Sequence, residues 1–171
     1  PIDFDNKNRP IIITEFCRNK IDFMFRFFDS TERLRCFYGI ASAMAYLHKH
    51  GIIHRNLVPF NVYFDDNNLP KLYGFEIAKR IDDELDSEKN KIKGTPAYLA
   101  PEIYMKQEYS KASDVYSFGL FMYRLVHNDD PFSDFSDPNN LKHAICDEGK
   151  RPMFYFDSIY NNLIERCWSQ N

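Results

Sequence analysis

Four short segments contain the polar residues whose types and spacing could do chemistry. They are HRNLVPFN from His54 to Asn61, KLYGFE from Lys71 to Glu76, GTPAYLAPE from Gly94 to Glu102 and SDVYSFG from Ser113 to Gly119. The first segment places two carboxamides, Asn56 and Asn61, close to a histidine and an arginine. A carboxamide can orient a substrate hydroxyl, but it has no basic oxygen to take the proton. General-base chemistry at Asn56 is therefore not expected.

Thiol chemistry and thiolate metal sites are not favoured by the cysteine pattern. No CxxC or Cys/His pair has the spacing of a metal site. Reduced thiols are the default in the cytosol, where we expect this protein to be located. The four cysteines, which are widely scattered, are Cys17, Cys36, Cys146 and Cys167.

The bulk composition is that of a soluble globular domain. The chain has 171 residues, of which 44% are hydrophobic and 27% charged, and its net charge is -3. This length suits one domain with a sizeable core. An acidic balance gives no reason to expect nucleic acid or an anionic membrane as partner. No apolar run approaches the length of a membrane span, and the first ten residues lack a signal-peptide pattern.

The elements that would position the four segments can be predicted from local patterns. IIITEF (residues 11–16) has the length and composition of a buried strand. Apolar runs at 61–64 and 69–72, separated by the turn residues 65–68, predict a hairpin. Residues 79–93 are almost all polar and predict an exposed, mobile loop. Helices are predicted from Ser30 to Gly51, from Ser113 to Val126, after Asp137-Pro138, and from Ser158 to Trp168.

Taken in order and with their gaps, the four segments resemble motifs of the eukaryotic protein kinase superfamily. The segment from His54 resembles the catalytic-loop pattern H-R-D-L-K-P-x-N. Those from Lys71, Gly94 and Ser113 resemble K-[IL]-x-D-F-G, G-T-x-x-Y-x-A-P-E and S-D-V-[WY]-S-F-G. The segments are most similar to those of tyrosine-kinase-like serine/threonine kinases, because Gly94-Thr95-Pro96 is the serine/threonine-kinase form of the third motif.

The resemblance implies a mainly α (α+β) fold, the kinase large lobe. Short β-hairpins would accompany helices packed around a buried central helix that starts at Ser113. Residues 1–171 would form a partial kinase domain, comprising the hinge strand and most of the C-terminal lobe. We expect the small lobe and the final helix to be absent from this chain. Glu102 would then lack its usual buried partner, an arginine of that helix.

At the positions that carry out phosphoryl transfer in the family, this chain has residues without the required functional groups. Transfer needs one carboxylate to accept the hydroxyl proton and another to hold magnesium. At these positions the chain has Asn56 and Gly74, and the loop lysine is replaced by Val58. Asn61 remains as a vestigial metal ligand, and the alternative carboxylate for the metal position is Glu76. The resemblance therefore implies a pseudokinase-type site.

Other residues correspond to nucleotide-binding and regulatory positions of the family. Thr14, Glu15 and Cys17 align with the adenine-facing hinge, whose backbone reads the adenine edge. Together with Asn61 they would bind nucleotide weakly at best. Arg55 corresponds either to an arginine that grips an activation-loop phosphate or to a packing residue. Ser87 could be phosphorylated by another kinase, and Thr95 would shape the substrate-facing turn.

Five further residues correspond to the scaffold of the family. His54 would pack under Phe75, and Asp114 would accept backbone N–H groups of the catalytic loop. The remaining two, Pro101 and Glu102, belong to the A-P-E segment. Because the scaffold is retained while the chemistry is lost, a structural role is favoured over catalysis.

Three hypotheses for function follow from this pattern. The first is a catalytically inactive signalling scaffold that binds another kinase or signalling protein and needs no cofactor. The second is a divergent serine/threonine kinase, which would need ATP and magnesium. The third is a gene remnant without function.

Overall fold

The computed structural model describes residues 2–4, 10–82 and 91–169, and helices dominate them. The helices are α1 (Ile21–Met24), α2 (Ser30–Lys49), α3 (Pro101–Lys106), α4 (Lys111–His127), α5 (Pro138–Cys146) and α6 (Asn161–Trp168). The strands are β1 (Ile2–Phe4), β2 (Pro10–Ile12), β3 (Asn19–Lys20), β4 (Ile52–Ile53), β5 (Val62–Phe64), β6 (Pro70–Leu72) and β7 (Lys79–Arg80). The prediction of a mainly helical fold with short strands is confirmed.

The strands form small antiparallel sheets that bracket the loop of residues 54–61. β5 and β6 form the predicted hairpin, and β3 pairs with the other edge of β5. The hairpin turn is closed by Asp65, whose Oδ1 accepts the backbone N–H groups of Asn67 and Leu69, each at 2.9 Å. β4 pairs with β7, so both ends of the 54–61 loop are fixed to strands.

The predicted strand at residues 11–16 is shorter than expected. β2 pairs with β1 up to the partners Ile2 and Ile12, where the pairing ends. A strand depends on hydrogen bonds to a neighbour, and residues 13–18 have no strand partner within the described part of the chain. Ile13 and Phe16 are accordingly exposed, at 58% and 79% of their surface. The prediction of a buried strand through residue 16 is therefore wrong.

Helix α4 lies at the centre of the core, as predicted. Its first turn is fixed by a capping box in which Ser110 and Ser113 each accept the other's backbone N–H. Helix α2 packs against it through Phe37, whose ring lies 6.4 Å from that of Phe121 in edge-on contact. Helix α6 packs closely at Gly119, where an added Cβ atom would lie 2.7 Å from Cβ of Cys167. The central helix is thus covered by elements that precede and follow it.

Several helix boundaries differ from the sequence-based expectation. The N-cap of α2 is Asp29, which forms a capping box with Glu32 directly before the predicted start. Helix α6 begins at Asn161, because residues 158–160 form a turn instead. Helix α3 was not predicted, although Pro101 at its first position is a start signal. No helix among the described residues is both long and apolar enough to cross a membrane.

Candidate functional site

The loop of residues 54–61 is anchored to the central helix by one buried carboxylate. Asp114, which is 1% exposed, accepts the backbone N–H of His54 at 2.8 Å and that of Arg55 at 2.9 Å. Its Oδ2 also lies 2.9 Å from Nε2 of His48. Backbone donors buried without an acceptor are costly, so this carboxylate fixes the start of the loop.

His54 connects this loop to the segment that contains Gly74. Its Nε2 donates to the carbonyl of Tyr73 at 2.8 Å, which leaves Nδ1 to accept the N–H of Asn56 at 3.3 Å. The imidazole also lies edge-on to Phe75, with ring centroids 4.9 Å apart. Burial lowers the pKa of His54, because a charged imidazolium is poorly solvated there. The histidine is therefore neutral near pH 7 and acts as a packed, hydrogen-bonded group.

The buried histidines should make the fold less stable in mild acid. Burial also lowers the pKa of His127, whose ring stacks against those of Tyr123 and Phe154. When the folded-state pKa is below the unfolded value of about 6.5, stability is full above that value and is lost as pH falls. We expect the melting temperature to decrease progressively from pH 7.5 to pH 5.

The contribution of one histidine can be isolated with a variant. His127→Phe retains an aromatic ring of similar shape and removes the titrating group, so its melting temperature should depend less on pH than that of the unmodified chain. Thermal melts of both proteins across this range, followed by circular dichroism, test the expectation. Identical pH profiles for the two proteins would contradict it.

Asn56 and Val58 occupy the centre of the loop and offer no base. The carboxamide oxygen of Asn56 accepts a hydrogen bond from the Thr95 hydroxyl at 2.9 Å. Val58 is buried at 3% exposure, so it contributes apolar packing where a lysine would carry a charge. The Thr95 contact joins the loop to the segment of residues 94–102. The arrangement is well ordered by hydrogen bonds, yet it contains no group that can take a proton near pH 7.

Asn61 and Gly74 lie next to each other in the wall of a surface pocket. The Asn61 amide donates from Nδ2 to the backbone carbonyl of Asn56 at 2.8 Å. Gly74 has a φ of 81°, and a Cβ atom added there would overlap the Asn61 carboxamide. Glu76 is exposed and lines the same pocket as these two residues. Asn61 and Glu76 therefore each bring a side-chain oxygen to the pocket that Gly74 lines, and Gly74 itself brings none.

Residues 14–17, the predicted hinge, form one wall of this pocket, which has a volume of about 390 Å³. We call it the hinge pocket. Thr14, Glu15 and Cys17 all line it, and weak nucleotide binding by these residues stays a prediction. The phenol of Tyr73 donates to the backbone carbonyl of Glu15 at 2.5 Å. A hydrogen-bonding contact with the Cys17 side chain raises the pKa of Tyr73, so the phenol keeps its proton.

Tyr63 completes the aromatic floor of the hinge pocket. Its ring packs edge-on against that of Tyr73, with centroids 5.1 Å apart. Neither tyrosine was predicted as a site residue from the sequence. Their positions, two residues after Asn61 and directly before Gly74, were the available signal.

The candidate regulatory residues are distributed around the site. Arg55 is buried, has a φ of 68°, and donates from Nε to the carbonyl of Ile77 at 2.5 Å. Its guanidinium also lies 4.8 Å from the ring centroid of Tyr109. These contacts are compatible with a packing role, and phosphate binding by Arg55 stays a prediction. Ser87 lies outside the described residues.

The residues of the A-P-E segment begin helix α3. Pro101 is buried at the first helical position, and Glu102 follows it in the first turn. Within the described part of the chain, the half-buried Glu102 carboxylate makes no hydrogen bond or ion pair. A carboxylate that keeps contact with water in this way avoids the full cost of burial.

Comparison with known proteins identifies the family. Residues 3–170 match the family model of the protein kinase domain. This chain belongs to the protein kinase domain family. Its helical fold is therefore that of the kinase large lobe, and the loop of residues 54–61 corresponds to the family's catalytic loop.

Curated relatives of this kinase domain come from a slime mould and a plant. The dual specificity protein kinase shkC of Dictyostelium discoideum is 30% identical over 143 residues, which cover 81% of this chain and 28% of the relative. A probable serine/threonine-protein kinase of the same organism is 29% identical over 95% of this chain and 9% of its own length. Serine/threonine-protein kinase TIO of Arabidopsis thaliana is 28% identical over 95% of this chain and 13% of its own. The kinase domain described here thus spans less than a third of each of these relatives.

Proposed function

We propose that this kinase domain does not transfer phosphate and serves as a scaffold for another signalling protein, such as a second kinase. The observation that carries the proposal is the pair Asn56 and Gly74, because neither position supplies the carboxylate that phosphoryl transfer requires. Loss of a general base alone typically lowers the rate about 10²- to 10⁴-fold. The proposed setting is the cytoplasm, and the proposed subgroup is that of tyrosine-kinase-like serine/threonine kinases.

The residues present do not fit a magnesium ion bound to nucleotide phosphates. Magnesium is bound through carboxylates and phosphate oxygens in near-ideal octahedral geometry. Gly74 has no side-chain oxygen, and the Asn61 amide, whose Nδ2 donates to the backbone of Asn56, offers a single neutral oxygen. Among the described residues, no group of three or more His, Cys, Asp or Glu side chains is arranged to hold a metal. The proposal therefore includes no cofactor.

The hinge contact of Tyr73 supports a role that is independent of nucleotide. In kinases the backbone of the hinge reads the edge of adenine. Here the Glu15 carbonyl is already bonded to the Tyr73 phenol. Adenine would have to share this carbonyl oxygen with the phenol, without a metal to hold the phosphates. Met153 and Ile159 are exposed at 76% and 87% and are candidate contacts for a protein partner.

An active serine/threonine kinase is the second candidate, and the relatives favour it. The curated relatives carry the names of serine/threonine and dual specificity protein kinases. Glu76 lines the same pocket as Asn61 and could supply one carboxylate to a metal. This alternative requires ATP and magnesium as cofactors and a protein as substrate.

Magnesium-ATP binding and phosphate transfer by the purified chain test the proposal. We expect a cooperative melt that magnesium-ATP does not shift, and no transfer of labelled phosphate to a generic protein substrate. The single variant Asn56→Asp should remain inactive, because it restores the base without a metal carboxylate. Gly74→Asp should lower stability by about 1–3 kcal/mol, because of its positive φ and its clash with Asn61.

The two candidates differ in the expected role of Glu76. An upward thermal shift with magnesium-ATP would contradict a nucleotide-independent role, and phosphate transfer that Glu76→Gln abolishes would establish the kinase and refute the scaffold. Glu108→Gln is the matched control, since Glu108 is an exposed glutamate that does not line the hinge pocket. A chain that shows no cooperative melt at all would support the gene-remnant hypothesis instead.

A further inference from the structure

A small pocket separate from the hinge gathers three arginines from different parts of the chain. Arg26 follows α1, Arg33 lies on α2, and Arg124 lies in the last turn of α4. The pocket has a volume of about 210 Å³ and shares no lining residue with the hinge pocket. We call it the arginine pocket, and its lining residues are Phe25, Arg26, Arg33, Arg124, Leu125, Val126 and Asn128.

Arg33 is held in place before any ligand arrives. Its Nε donates to the backbone carbonyl of Phe28 at 3.1 Å, and its guanidinium lies 5.1 Å from the ring centroid of Phe25. These contacts use one donor and one face of the guanidinium and leave its terminal amino groups for an acceptor. A guanidinium fixed in this way loses little conformational entropy when it binds an anion.

The arginine pocket has more positive than negative charge among the residues that the structure describes. Within the described part of the chain, Arg26 and Arg33 make no ion pair with a carboxylate. Arg124 pairs with Asp130, at 2.6 Å between Nε and Oδ1. Among the described residues, the three guanidinium groups that line the pocket and the one carboxylate paired with them sum to a charge of +2, on a chain whose net charge is -3. This excess positive charge favours a dianion.

We propose that the arginine pocket binds a phosphate group, and that a phosphorylated side chain of a partner protein is its source. A phosphate monoester carries about -1.5 to -2 charges at pH 7, which matches the excess charge of the pocket. Guanidinium groups bind phosphate oxygens in bidentate, charge-assisted geometry. Phe25, Leu125 and Val126 supply an apolar wall beside the arginines, suited to the carbon atoms that carry the phosphate. The inference holds whether or not the domain itself transfers phosphate.

Binding of defined anions to the full chain tests this site. The probes are inorganic phosphate, a short phosphoserine peptide and its unphosphorylated form, titrated at matched ionic strength and followed by isothermal titration calorimetry. Arg26→Gln should weaken phosphopeptide binding about tenfold, the effect of losing one charge-assisted hydrogen bond. Its fold should be unchanged, because Arg26 is exposed. Arg35→Gln is the matched control, since Arg35 is an exposed arginine of α2 that does not line the pocket.

A further variant should change the affinity for the phosphopeptide in the opposite direction, which makes the test stricter. Asp130→Asn frees Arg124 from its ion pair and should tighten phosphopeptide binding. Tighter binding of the phosphopeptide than of inorganic phosphate supports a protein source, while equal affinity assigns the site to the free anion. Binding that Arg26→Gln leaves unchanged, or that the unphosphorylated peptide reproduces, would overturn the site.

Discussion

Replacement of Asp114 by alanine should lower the free energy of unfolding by about 2–6 kcal/mol. The carboxylate accepts two buried backbone N–H groups, those of His54 and Arg55, and each donor left without an acceptor costs roughly 1–3 kcal/mol. His48 loses its partner as well. This cost is a large fraction of the stability of a typical domain. Chemical denaturation of the purified variant measures the change directly.

Two further variants separate the role of the acceptor from a general effect of charge removal. Asp114→Asn keeps one acceptor oxygen and should therefore be less destabilising than Asp114→Ala. Asp157→Ala removes an exposed aspartate and should change stability by no more than about 0.5 kcal/mol. Equal stability of Asp114→Ala and the unmodified chain would contradict the anchoring of the catalytic loop by this residue.

Gly119→Val should lower the free energy of unfolding by about 2–3 kcal/mol, toward the upper end of the usual cost of overpacking a core. A Cβ atom at this position would lie 2.7 Å from Cβ of Cys167 and 3.3 Å from the carbonyl oxygen of Ile164. Both contacts are with atoms that cannot rotate away, so α6 has to move away from α4. The shift would also loosen the packing of Trp168 in the core.

The control for this substitution lies on the same helix. Ala112→Val adds the same β-branched side chain at an exposed position of the first turn, where it should cost only a few tenths of a kcal/mol. Urea unfolding of both variants gives the comparison. If the two substitutions had the same effect, the close approach of α4 and α6 at Gly119 would be refuted.

Much of the fold could be predicted because its signals are local. The start of α2 is encoded by a short polar segment before a helical apolar pattern, and its end by Gly51, which has a φ of 69°. The hairpin of β5 and β6 is encoded by the turn residues 65–68 between two apolar runs. The buried central helix followed from apolar residues around nearly its whole circumference. Each of these patterns lies within one secondary-structure element and the turn next to it.

The errors arose where neighbours in space decide the structure. Residues 13–16 have the composition of a strand, but no strand pairs with them within the described part of the chain. A strand propensity without a partner does not produce a strand. Helix α3 is too short to display a helical period, so its proline at the first position was the available signal.

The site was predictable where a motif placed a residue, and not where side chains meet from distant segments. The contacts of Asp114 with the catalytic loop have the geometry that the resemblance implies. The hydrogen bond from Tyr73 to Glu15 joins residues 58 positions apart, and no sequence motif indicates it. The arginine pocket likewise combines Arg26, Arg33 and Arg124, which share no pattern in the sequence. Such groupings require the tertiary fold.

The position of α4 between α2 and α6 has a consequence for how the chain folds during synthesis. Contacts such as that of Gly119 with Cys167 join residues far apart in sequence, so the entropy of closing the intervening loop is lost before they form. A nascent chain that contains α2 and α4 but not yet α6 exposes the apolar side of the central helix to solvent. The core therefore closes only after α6 has been synthesised, and a nascent chain without α6 is the species most exposed to aggregation.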